Sequence, residues 1–298
     1  MKHRTRSLTH RIRMLTHRTR IHKPIVGPLS SRSLVELSLF STFIFVFTAL
    51  LMQFLLTLHT ALLLKIYSIT FQYSLFTIDF LSESSSNWPE DQIYFIFGSG
   101  PLILSSVGFL MLFVLKKIRI AGWKGRLFLT WLAFLMVNAL PCGIVAGVFF
   151  YDSFGIAFHW LISSYIIRGL IALTVLLILI FFNRFWQRRF LKASYTSAFL
   201  DHGDHQKIFI KNVYFKPWIY GLIILMLFNL PFNNLYWPAF LLSLGFMAIP
   251  LFDRSTRTHR KPHIMKSDKK IFTNRYQILY ILIVLALIWV ADNFLINL

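Results

Sequence analysis

The chain has a single cysteine, Cys142, in 298 residues. That excludes an intrachain disulfide and a cysteine zinc cluster. Inside the apolar run that holds it, the thiol reads as a small packing group rather than a nucleophile. Charge is scarce too: charged residues make up 14% of the chain, against about 25% in an ordinary soluble domain. Acids are scarcest, 11 against 31 lysines and arginines. No repeat of about 20–50 residues recurs, which excludes a solenoid. The two halves show no inverted-repeat match, which counts against transporter folds built that way. No secretory signal is clear, because the first apolar stretch is too long for a signal h-region and lacks a convincing cleavage site.

Apolar side chains, by contrast, are abundant. Hydrophobic residues make up 56% of the chain and include 32 Phe, and the mean hydropathy is +0.63. A soluble core could not bury that much, whereas a bilayer solvates it without a core, so the composition implies an integral membrane protein. Apolar runs cover 34–64, 93–115, 127–150, 155–182, 217–230, 236–252 and 276–296. The expected fold is an all-α multi-pass transmembrane bundle of about seven spans. The pair 217–230 and 236–252 is short for a bilayer, and Pro231, Asn233 and Asn234 between them need water or buried partners, so a re-entrant hairpin is the alternative. The expected organisation is a basic cytoplasmic tail at 1–33, a four-span core at 34–182, a basic interfacial loop at 183–216 and a three-span part at 217–298.

The formal charge of +20 is concentrated in the tail and at 116–126, 183–192 and 253–275. The intervening 65–92 carries Asp79, Glu83, Glu90 and Asp91 against Lys65. This alternation encodes orientation, with the N-terminus cytoplasmic and the C-terminus outside in a bacterial plasma (inner) membrane. Basic residues placed this way point to a lipid bilayer as partner and not to nucleic acid. The tail holds no acid and repeats "LTHRIRM" as "LTHRTRI" at a seven-residue spacing. It is either an arm for anionic phospholipid or a disordered charged tail; a start at Met14 is a further alternative.

After the first run the pattern changes. Ser68 to Leu75 alternates polar and apolar, and Phe76 to Phe80 follows, as strands with one apolar face do. A short strand or hairpin at 66–81 is therefore expected. It must pair with itself, line a cavity or sit at the interface, because an open edge cannot lie in lipid. His59 in "LLTLH" precedes it. "GSGPLILSSVG" at 98–108 and "NALPCGIVAGVFFYDSFG" at 138–155 follow. Across residues 55–160 this order resembles the core of the zinc site-2 protease family, with His59 falling on the second histidine of HExxH, and Asn138, Pro141 and Asp152 near its later motif. The chain has Leu55 and Leu56 where the first histidine and the glutamate stand, and its Asn-Pro to Asp spacing is longer. The resemblance thus implies a relative that has lost its metal motif, with no cofactor.

Five residues are candidates for a polar pocket: His59, Asn138, Asp152, His159 and Arg168. Arg168 falls near the middle of the run 155–182, about 20 Å from either end at 1.5 Å per residue. An arginine there costs about 2.5–3.5 kcal/mol on insertion scales and calls for an internal partner. It is either an anion contact or a tie to backbone carbonyls. On a continuous helix His159, nine residues earlier, would face the other way; it either shares a wet pocket with Asp152 or is an interfacial histidine beside Trp160. Pro141 frees a carbonyl one turn earlier, beside Asn138, while Gly143 and Gly147 suit close helix packing. Ser99 in "GSG" with His159 could be cast as a serine hydrolase, but the usual flanking motifs are missing and small residues for helix contact explain the motif more cheaply. "DHGDH" (Asp201, His202, Asp204, His205) offers metal donors or a polar turn. The expected function is a non-catalytic scaffold or assembly protein. The alternatives are a carrier or channel for a small anionic solute through Arg168, and an intramembrane hydrolase.

Overall fold

Backbone N–H and C=O groups in hydrocarbon have no water to bond, so the apolar runs of this chain have to become helices. The computed structural model describes residues 31–73, 78–80, 89–117, 122–194, 203–229 and 236–245. Apart from Ser31, the N-terminal unit of the chain, Met1–Ser31, lies outside these residues. So do residues 230–235, where a hairpin turn is expected, the basic stretch 253–275 and the apolar run 276–296.

The described residues are mostly helical. Helix α1 (Ser31–Ile66) is followed by an antiparallel pair of three-residue strands, β1 (Phe71–Tyr73) and β2 (Ile78–Phe80), with Gln72 opposite Asp79. Then come α2 (Glu90–Ile93), a π-helical turn at Tyr94–Gly98, and α3 (Ser99–Lys117). Helices α4 (Trp123–Val137), α5 (Ala139–Phe149) and α6 (Phe154–Leu161) lead into the long α7 (Tyr165–Lys192). Helix α8 (Gly203–Ile210), a second π turn (Lys211–Phe215), α9 (Lys216–Asn229) and α10 (Tyr236–Ser243) complete the described chain.

Four helical stretches among these residues are long and apolar enough to cross a membrane: Leu34–Ile66, Asp91–Leu115, Tyr165–Lys192 and His205–Phe228. The pair α4 and α5, bent by 49°, makes a fifth if it counts as one broken span. Two expectations change. The fourth span begins at Tyr165 rather than 155, because the chain leaves the helix at Ile162–Ser164. The stretch 183–216, expected as a loop, is largely helical: α7 runs on to Lys192, and the helix from Gly203 continues through the second π turn into α9.

Exposure is the reverse of that in a soluble protein. On α7, Phe181 is 82% exposed, and Leu170, Leu173, Leu177 and Ile178 also face outward, while Arg168, Asn183 and Gln187 are buried. Helix α3 likewise presents Leu102, Ile103, Leu110 and Phe113. In α1 the buried Thr42, Thr48 and Thr57 return their hydroxyls to carbonyls four residues back. Lipid as solvent accounts for both faces.

The interior is held by an aromatic cluster. Trp131 packs on Phe45 (4.9 Å between centroids) and Phe190 (4.6 Å), and Phe134 meets Trp186 edge-on at 5.0 Å. Tyr214 closes it against Phe190 at 5.0 Å. Helices α3 and α4 pack tightly at Gly108, where an added Cβ would stand 2.5 Å from Val137 N and 2.8 Å from Met136 Cβ. At Gly169, inside α7, a Cβ would meet nothing within 4 Å. Gly108→Ala should therefore destabilise the protein by about 1–3 kcal/mol through overpacking. Gly169→Ala should stabilise it by about 0.5–1 kcal/mol through helix propensity. Unfolding of the two variants in detergent would display the opposite signs.

Candidate functional site

Three serines share one arrangement. At the break between α4 and α5, Asn138 leaves helical geometry (φ −91°, ψ 5°). Pro141 has no N–H to give the Val137 carbonyl. Ser105, from α3, donates its hydroxyl to Val137 O (3.3 Å) and accepts the Leu140 N–H (3.0 Å). At the second π turn, Ser41 of α1 donates to Val213 O (2.6 Å) and accepts Trp131 Nε1–H (2.9 Å). Ser99, which follows the first π turn, donates to Phe95 O (2.5 Å) and lies 2.8 Å from His59 Nε2.

A hydroxyl has one hydrogen and a carbonyl can only accept. Because the Ser99 hydrogen goes to Phe95 O, His59 Nε2 carries the proton of the second bond and donates it to Ser99. With both bonds made, the direction is opposite to that of nucleophile activation, in which the imidazole takes the serine proton. His59 thus plays the part that Leu140 N–H and Trp131 Nε1–H play at the other two serines. Gly100 makes the approach possible, since a Cβ there would sit 3.1 Å from Leu56 and 3.2 Å from the His59 ring. The sequence paired Ser99 with His159; the structure pairs it with His59. The bond joins helices 40 residues apart, so its register could not be read locally. A legible signal did exist at Ser105, because a proline inside a membrane helix demands a donor from a neighbour.

The remaining candidates have other partners. Asn138 is buried and donates Nδ2 to Phe134 O (2.6 Å), tying off the end of α4. Asp152 sits in the turn before α6, accepting from Ser153 Oγ (3.3 Å), while its carbonyl takes the Gly155 N–H (2.8 Å). His159 donates Nε2–H to Gly147 O (2.8 Å), and its ring lies 5.3 Å from that of Tyr151, whose hydroxyl accepts Trp160 Nε1–H. Gly147 and Gly155 meet closely: a Cβ on Gly147 would lie 3.0 Å from Gly155 Cα. Among the described residues no three His, Cys, Asp or Glu side chains gather to hold a metal. Asp201 and His202 lie outside them.

Arg168 differs from its expected setting. The break at Ile162–Ser164 places it in the first turn of α7, about 5 Å from the helix start rather than deep in a continuous helix. The same break removes the opposite-face relation, and the Arg168 charge reaches the His159 imidazole. Arg168 is 8% exposed, and its guanidinium lies over the Tyr165 ring at 5.8 Å. Its buried Nε has no hydrogen-bond partner among the described residues. The next turn, at Ala172, packs into an apolar cluster with Val145, Val148 and Phe158.

Comparison of the chain with known protein families, with curated proteins and with solved structures finds no match.

If the His59–Ser99 bond is structural, His59→Gln, which keeps a donor near the Nε2 position, should retain stability. His59→Ala should lose about 0.6–1.7 kcal/mol. A fluorophosphonate probe should leave Ser99 unlabelled; labelling at Ser99 that His59→Gln abolishes would mark an activated nucleophile.

Proposed function

We propose that the chain is a multi-pass integral membrane protein, without covalent chemistry of its own, whose bundle handles a small anionic solute through Arg168. It crosses the membrane seven times with the N-terminus cytoplasmic, the last span lying at 276–296. The observation that carries the proposal is the buried guanidinium whose Nε has no partner among the described residues. A buried charge without a counter-charge is costly. A transient anion supplies what the described residues do not, and it can leave again because no acid among them is bonded to the guanidinium.

Two other readings receive less support. A hydrolase needs a base for Ser99, and the bond directions there leave His59 as the donor. A site-2-like core would be one stripped of metal donors at Leu55 and Leu56, which agrees with a role without catalysis. A scaffold role leaves Arg168 unexplained.

Purified protein in proteoliposomes should take up small anions, and Arg168→Leu should lower that flux at least about tenfold, the effect of losing one hydrogen-bonded charge. Arg168→Lys should keep part of it. Uptake indifferent to Arg168→Leu would remove the proposed role.

A further inference from the structure

The first turn of α7 brings together an open helix end and a buried cation. The first intrahelical bond runs from Arg168 N to Ser164 O (3.1 Å), so the N–H groups of Tyr165, Ile166 and Ile167 precede the helical ladder. Ser164 stands at the capping position, yet its side chain makes no cap bond. Helical side chains lean toward the N-terminus. The Arg168 guanidinium does so here, lying over the Tyr165 ring three residues back. Arg168 is 92% buried by its 8% exposure, and its Nε lacks a partner among the described residues. A helix start carries about half a positive charge. Setting a guanidinium beside it is unfavourable on its own, and both features favour a negative group with several acceptor oxygens.

We infer that the start of α7 is a binding site for an oxyanion, a carboxylate or a phosphate, held between the Arg168 guanidinium and the free N–H groups of the first turn. The fork of an arginine matches two oxygens of such a group, and helix N-termini present converging N–H donors to the others. The inference rests on the reading of Arg168 as an anion contact and adds the ligand class and the second half of the site. Chloride has no such pair of oxygens and binds less well. Tyr165 is 62% exposed, so the site opens outward. The same chemistry is offered by a free anion and by a phospholipid headgroup.

The test uses full-length protein in a neutral, lipid-free detergent. Its thermal unfolding midpoint is titrated with phosphate, acetate or chloride at constant ionic strength, and in a parallel arm with phosphatidylglycerol added to the micelles. Saturable stabilisation by phosphate or acetate above chloride supports a solute site; saturable stabilisation by phosphatidylglycerol alone supports a headgroup site. Arg168→Lys keeps the charge but loses the fork, and should weaken binding about tenfold. Proline is tolerated at the first helical position and lacks only an N–H that the helix does not use. Tyr165→Pro should therefore fold as Tyr165→Leu does and bind the oxyanion several-fold more weakly. The inference is overturned by the lack of a saturable response in every arm, or by equal affinities in Tyr165→Pro and Tyr165→Leu. Oxyanion binding without flux would keep this site and remove the solute passage proposed above. Flux dependent on Arg168 but blind to Tyr165→Pro would do the reverse.

Discussion

A carbonyl in hydrocarbon must find a hydrogen within the protein, and this constraint orders the rest of the bundle. Regular helix meets it automatically. At three interruptions the bundle supplies a serine. Ser105 serves the break at Pro141, and Ser41 the second π turn. Ser99 serves the carbonyl of Phe95 inside the first π turn. Each hydroxyl gives its one hydrogen to a carbonyl and takes one from an N–H. The N–H donors differ: a backbone amide, an indole and an imidazole. A histidine beside a serine would usually invite a catalytic reading. Here the bond directions give His59 the same donor role as two groups with no acid–base chemistry.

The same rule brings out Arg168. Several buried polar atoms lack a partner among the described residues, and Arg168 is the charged group among them. The neutral ones lose a modest amount in an aromatic-lined interior, whereas a guanidinium loses far more. Its place at the opening of α7 rather than mid-helix changes what it can do. Deep in a continuous span it would be tied to carbonyls or reach for an interface. In a first turn it stands beside N–H groups that precede the helical ladder. That pairing is the ground on which an anion site is proposed at the start of α7.

Legibility in the sequence followed the range of the interactions involved. The runs at 34–64 and 93–115 were plain, because length and composition decide whether a helix crosses a bilayer. The bend beside Asn138 was foreshadowed by Pro141, a local cause with a local effect. The break at Ile162–Ser164 was not, since "LISSY" contains neither proline nor glycine and two serines do not by themselves end a helix. That error put Arg168 too deep and set His159 on the wrong side of it. The partnership of His59 with Ser99 was hidden for another reason: it depends on the register of two helices separated by the β1–β2 turn region. Asp152 and Asn138 proved to be turn and helix-end residues, functions that short polar side chains commonly perform and that a list of ionisable groups does not separate from chemistry.

The dependence of the Pro141 break on Ser105 is open to a double-mutant cycle. Pro141→Ala restores an N–H for the Val137 carbonyl, so it should make the Ser105 hydroxyl partly redundant. Unfolding in detergent should show Ser105→Ala costing about 1–2 kcal/mol beside Pro141 and less than half of that beside Ala. An equal cost in both backgrounds would mean that the hydroxyl does not answer the freed carbonyl, and the account of the bundle as hydroxyl-patched helices would fail.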